Sequence, residues 1–207
     1  MKVKLSGSYR RYRISMAVRA RGTLSQRLPG ILQEHRFRSI DSARGELQSV
    51  GWTAWDGCVP SSFEDLDPWL GSVLYLGVRI DQKRIPAGAL RIRRLEAEAA
   101  ERREVGERIP PARRREITEQ IHSELTSRVV PSSAVVPMLW DVERGQLLLG
   151  STAEATNGAF RTLFRASFET AAEHVTSASL PDQLDLPAAL REGWVEQAPL
   201  WAKGGRS

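Results

Sequence analysis

Two apolar runs, Val73-Leu74-Tyr75-Leu76-Gly77-Val78-Arg79-Ile80-Asp81 and Val135-Val136-Pro137-Met138-Leu139-Trp140-Asp141, are separated by a stretch too charged to share their core. Between residues 87 and 128 that stretch carries ten arginines and eight glutamates, and its apolar residues recur at helical rather than strand spacing. Leu90, Ile92, Leu95 and Ala99 form the apolar side of a first helix from Ala87 to about Val105, with Gly106 as its stop. Pro110-Pro111 opens a second helix, proline being tolerated at a first helical position, and Ile117, Ile121 and Leu125 follow at i, i+4 and i+8 to about Arg128. Such narrow stripes bury one side of a helical pair and leave a broad polar face in water. The order predicts an α+β fold: a mixed or antiparallel sheet with packing helices, from which a charged helical pair, residues 87–128, projects.

Upstream, residues 9–18 read as a strand with Tyr9, Arg11 and Arg13 on one face and Arg10, Tyr12 and Ile14 on the other. Thr23 or Ser25 is placed to cap a helix bearing Leu24, Leu28, Ile31 and Leu32, and Pro29-Gly30 in its middle predicts a kink or two short pieces. Residues 39–72 are rich in turn formers, with a short extended piece from Val50 to Trp55 and a loop from Asp56 to Pro68. The run at 73–81 alternates less than it runs apolar, which predicts burial on both faces. Residues 134–150 read as a hairpin turning at Glu143-Arg144-Gly145. A last helix, from about Thr152 to Val175, turns Phe160, Leu163, Phe164, Phe168 and Ala171 to the core. The expected organisation is one domain, 1–178, and a partly ordered tail, 179–207.

Charge is uneven along the 207 residues. Thirty Lys+Arg against 25 Asp+Glu give +5, but residues 1–50 alone hold +8 and residues 84–140 hold +3, while 51–83 and 141–207 are each at −3. A polyanion would meet residues 1–50 and 84–140. Twenty-six of the basic residues are arginines, whose planar fork suits phosphate; a GC-rich genome gives the same bias. The single Cys58 fits a reducing compartment, no apolar run follows the N-terminal lysines, and no stretch approaches the roughly 20 apolar residues of a membrane span. A cytoplasmic protein without a membrane partner is expected.

Enzymatic signals are poor. His35, His122 and His174 stand apart from one another and from Cys58, and no P-loop, Rossmann glycine pattern, His-Glu-x-x-His or Gly-x-Ser-x-Gly is present, so neither a catalytic role nor a cofactor is expected. The rival reading is a Mg²⁺-dependent nuclease using Asp65, Asp67 and Asp81. Arg113, Arg114 and Arg115 are more informative, because the macrodipole disfavours cations in a first helical turn by about 0.3–1 kcal/mol each. Either Glu116 and Glu119 neutralise them locally, or they contact phosphate together with Arg91, Arg94, Arg102 and Arg103 of the preceding helix, Arg11 and Arg13 continuing the surface. Tyr9, Tyr12, Trp52 and Trp55 raise the question of base stacking, set against packing in the core or at its rim.

The order of segments resembles the recombination-associated protein RdgC family over about residues 9–178. The resemblance rests on Gly51-Trp52, on the strand running into Gln82-Lys83-Arg84-Ile85-Pro86 before a long charged helix, and on the basic-then-amphipathic helix from Arg113 to Leu125. It continues in the Trp140-Asp141-Val142-Glu143-Arg144-Gly145-Gln146-Leu147-Leu148-Leu149 hairpin and the helix starting near Ala153. It implies a non-catalytic, sequence-independent duplex-DNA-binding protein of the bacterial nucleoid, a homodimer that encircles or coats DNA and limits RecA-promoted strand exchange. The chain departs from the family at Thr126, where proline is usual, at Pro29, and in length, since members usually continue into a region that helps close the ring. A module that keeps the fold and binds protein instead of DNA is the third reading.

Overall fold

The computed structural model describes residues 7–14, 21–106 and 108–176. Among them are seven strands: β1 (Arg10–Ile14), β2 (Gln48–Thr53), β3 (Trp69–Leu70), β4 (Val73–Gln82), β5 (Ser132–Asp141), β6 (Gln146–Leu149) and β7 (Ala172–His174). Four helices accompany them: α1 (Arg21–Glu34), α2 (Ala87–Val105), α3 (Pro111–Arg128) and α4 (Glu154–Phe168). The strands form one antiparallel sheet in the order β2-β4-β5-β6-β1-β7, with β3 sharing the edge of β4 that β2 occupies further along. The fold is α+β, as the segment order predicts. The proposed tail lies outside the described residues.

Period-two alternation sends one set of strand side chains under α1 and α4. Tyr12 and Ile14 of β1, Leu74, Leu76, Val78 and Ile80 of β4, and Val136, Met138 and Trp140 of β5 are all buried. Leu24, Leu28 and Leu32 of α1 and Phe160, Leu163, Phe164 and Phe168 of α4 complete that core. Its centre is aromatic: the Trp140 ring lies 5.3 Å from Phe164 and 5.2 Å from Phe168, while the Trp52 indole N–H donates to Ser167 Oγ at 2.7 Å. Aromatic pairs in such tilted or edge arrangements add about 0.5–1.5 kcal/mol beyond their buried area.

Four local expectations are corrected. β4 is not buried on both faces: Val73, Tyr75 and Arg79 are only half-buried, because α1 and α4 cover one side of an antiparallel sheet. α1 runs unbroken through Pro29, which withholds a donor only from the Ser25 carbonyl, while Leu24, Leu28 and Leu32 stay in register on the core. It begins at Arg21, ahead of both Thr23 and Ser25, so neither is its cap. The last helix stops at Phe168 instead of continuing to Val175, because Glu169 takes a left-handed conformation (φ 54°) and residues 172–174 pair with β1 as β7.

Gly51 shows how tightly the edge of β2 is packed. The chain leaving α1 crosses here, with the Trp52 N–H donating to the His35 carbonyl at 3.0 Å and the Phe37 N–H to the Trp52 carbonyl at 2.9 Å. The backbone of Phe37 then occupies the space that a Cβ at position 51 would need. Gly51→Ala should therefore cost about 1–3 kcal/mol, read as a lower urea midpoint with an unchanged m-value.

Candidate nucleic-acid interface

Gln82 and Ser132 are directly paired, so the α2–α3 hairpin leaves and rejoins the sheet at one place. Its root is fastened by Lys83, a buried lysine whose Nζ donates to the Thr126 carbonyl at 2.6 Å and to Ser42 Oγ at 2.7 Å. Thr126 itself is buried and its hydroxyl donates to the His122 carbonyl at 2.7 Å. Further out, Ile109, Ile117 and Ile121 are buried. The apolar side expected for α2 is only partly used: Leu90 and Ala99 are half-buried, whereas Ile92 and Leu95 are 58% and 51% exposed. Among the described elements α2 packs chiefly on α3, and one neighbouring helix cannot cover the whole stripe.

The hairpin's arginines divide by function. Arg113 is a clamp: its Nε and Nη2 reach the two oxygens of Glu101 across the hairpin at 2.7 and 3.1 Å, and Nη1 reaches Glu116 at 3.0 Å. The hydrogen bonds from Arg113 hold the Glu101 carboxyl below the usual glutamate range, and those carboxylates hold Arg113 still more firmly protonated. Neutralisation thus accounts for Arg113, by Glu101 across the hairpin together with the local Glu116, while Glu119 forms no ion pair with the described residues. Arg94 and Arg102 share one carboxylate, Glu98, at 3.6 and 3.3 Å. Arg91, Arg103, Arg114 and Arg115 are exposed and form no ion pair with the described residues. Since α2 ends and α3 begins at the hairpin's tip, Arg102, Arg103, Arg113, Arg114 and Arg115 collect there. Arg94, Arg114 and Arg115 also line an open cleft of about 430 Å³ between the helices, beside Thr118, Glu98 and Glu119.

Arg11 and Arg13 are exposed on β1, with Tyr12 and Ile14 opposite them in the core, as the alternation requires. They do not join the hairpin surface. The registers Arg11↔Leu148 and Leu148↔Leu139 place Arg11 two strands from β5 and seven residues along it from Ser132, about 25 Å from the hairpin's root. Arg36 and Arg38, which sequence reasoning did not single out, line an open cleft of about 610 Å³ by β2 and form no ion pair with described residues. Their only sequence signal was the +8 charge of the first fifty residues.

No family model matches the chain, and no curated protein matches it.

The carboxylates of the nuclease reading are already engaged or stand apart. Asp81 is buried and takes both hydrogen bonds of the Arg79 fork at 2.9 and 3.0 Å, while that guanidinium lies 4.3 Å over the Phe37 ring. Asp65 and Asp67 are exposed in the loop before β3, Asp67 accepting from the Trp69 N–H. Among the described residues no three His, Cys, Asp or Glu side chains are grouped to hold a metal ion. Of the four aromatic residues, Tyr12 and Trp52 are core, and Tyr9 and Trp55 are half-buried. Among the described residues, no helix is long and apolar enough to cross a membrane.

Two measurements test this account. Lys83→Met strands the Thr126 carbonyl and should cost about 1.5–3 kcal/mol, with faster amide exchange in the last turn of α3. Burial works to raise the Asp81 pKa, but hydrogen bonds from Arg79 and Ser133 and the charge of Arg79 overcome it, so the folded value is depressed. The pair therefore contributes stability above the ordinary aspartate range and loses it as pH falls through the folded value. Asp81→Asn should be less stable than the parent at neutral pH, and urea titrations of the two should converge as the pH falls through the depressed folded value of Asp81.

Proposed function

We propose that the protein binds duplex DNA without reading its sequence, through the arginines of the α2–α3 hairpin. The observation that carries the reading is the division of those arginines. Arg93 and Arg113 tie α2 to α3 through Glu124 and Glu101, while Arg91, Arg103, Arg114 and Arg115 are left exposed without carboxylate partners among the described residues. Guanidinium forks in a cationic, projecting tip are suited to phosphate oxygens, and contacts of that kind carry no base information. Arg94 and Arg102, two cations on one carboxylate, can turn toward phosphate at little cost, since exposed ion pairs are worth about 0–1 kcal/mol.

The resemblance to the RdgC family extends the proposal. A nucleoid-associated protein of this kind acts as a homodimer that encircles or coats duplex DNA and so competes with RecA for it. No chemistry on the DNA is part of the proposal.

Neutralising four phosphates gives a slope of about −3.6 in log K against log salt. Reversing Arg114 and Arg115 to Glu should weaken binding to a short duplex at least tenfold at about 50 mM salt and reduce the slope by about 1.8. Failure to bind at that salt, or binding that salt does not move, sinks the reading. Degradation of the duplex in Mg²⁺, abolished by Asp65→Asn or Asp67→Asn, would replace it with the nuclease.

A further inference from the structure

The sheet face turned away from α1 and α4 carries a row of residues that the hairpin does not use. The registers set Arg11 of β1 opposite Leu148 of β6, Leu148 opposite Leu139 of β5, and Leu139 opposite Tyr75 of β4, so these four lie side by side across four strands. Arg11 is exposed and the other three are half-buried. At the far end the Trp55 ring meets Tyr75 edge-on, with centroids 6.2 Å apart. Arg13, two residues further along β1 and on this same face, is exposed, and Tyr9, just ahead of the strand, is half-buried. Tyr9 and Arg11 also form part of the wall of an open cleft of about 460 Å³ at the end of the strand.

Among the described residues, no carboxylate on this face is paired with either arginine. Asp141, the carboxylate nearest the row on β5, is held by the Arg144 guanidinium at 2.8 Å and by its backbone N–H at 3.0 Å. Glu173 of β7 is the cross-strand neighbour of Arg13, yet the two form no ion pair. The face thus joins a mainly apolar floor to two cations on β1.

We propose that this face binds single-stranded DNA, with consecutive phosphates on Arg11 and Arg13 and bases laid over Tyr9, Leu148 and Leu139. Arg11 and Arg13 are about 7 Å apart along β1, near the spacing of successive phosphates on an extended strand. A strand following β1 sends its bases across the sheet, along the Arg11-to-Tyr75 row. Duplex DNA cannot use such a floor, because its base faces are already stacked; an unpaired strand offers them freely, and a charged border with a ring or apolar floor accepts any base. The proposal is independent of the duplex reading, since it uses neither the hairpin nor its arginines.

Fluorescence anisotropy on the full chain tests it, with a labelled oligothymidylate of about 20 nucleotides and a duplex of the same length as probes. The double variant Arg11→Ala/Arg13→Ala should weaken oligothymidylate binding at least tenfold and reduce its salt slope by about 1.4, with duplex affinity changed less than about twofold. Tyr9→Ala should weaken the single strand about fivefold or more and Tyr9→Phe should not, because stacking needs the ring and not the hydroxyl. Arg114→Glu/Arg115→Glu should leave oligothymidylate binding in place, which separates failure here from failure of the duplex reading. Three results overturn the proposal: no oligothymidylate binding at about 50 mM salt, equal losses for both probes in the Arg11/Arg13 variant, or a fall in molar mass by light scattering in that variant. The last would assign the face to a second copy of the chain. Unchanged thermal unfolding of each variant is the control for folding.

Discussion

The β4–β5 ladder is the constraint from which the rest of the architecture hangs. It runs ten residues on each strand, from Val73↔Asp141 to Gln82↔Ser132, and every other strand attaches directly or through neighbours to one side of it. Because Gln82 and Ser132 face each other, the 49 residues between them must return to within one strand spacing of where they left. Two antiparallel helices of nearly equal length satisfy this: 19 residues out and 18 back are about 28.5 and 27 Å. Lys83 then closes the loop chemically, since one ammonium joins the returning helix, through Thr126, to the turn that carries Ser42. The projection of the hairpin is a consequence of the ladder and does not require a ligand to explain it.

Much of this was legible because it is local. Continuous apolar runs marked β4 and β5, the Ile117, Ile121 and Leu125 spacing marked α3, and the wide Phe160-to-Phe168 face marked α4. Features set by distant partners were hidden. Residues 172–174 continue a helix-forming stretch in sequence and become a strand only because the edge of β1 is there to pair with. Pro29 looks like a break until the burial of three leucines on one face of α1 is known. Exposure of Ile92 and Leu95 follows from α2 packing, among the described elements, chiefly on α3.

The candidate site divides the same way. That Arg11 and Arg13 share an outward face follows from period two and is visible in five residues of sequence. That they lie far from the hairpin depends on the strand order β5-β6-β1, which no local pattern encodes. Glu116 is visible as an i+3 partner of Arg113, yet the stronger contact is Glu101, twelve positions back and across the hairpin. Sequence could therefore mark a cluster of arginines as unusual without telling which member was structural.

Net charge is a poor guide to such a molecule. The hairpin's ten arginines and eight glutamates nearly cancel in sum, but Glu101 and Glu124 hold the helices together, and Arg103, Arg114 and Arg115 near its tip form no ion pair with the described residues. At physiological ionic strength charges separated by much more than about 8 Å scarcely interact through solvent. The border of Arg11 and Arg13, about 25 Å from the hairpin's root, is therefore electrostatically separate from the tip, and a ligand at either place meets only its local field. The +5 of the whole chain describes neither surface. What governs each is the number of guanidinium groups its own carboxylates leave unpaired and the surface beneath them: the end of a helical hairpin in one case, a mainly apolar sheet face in the other.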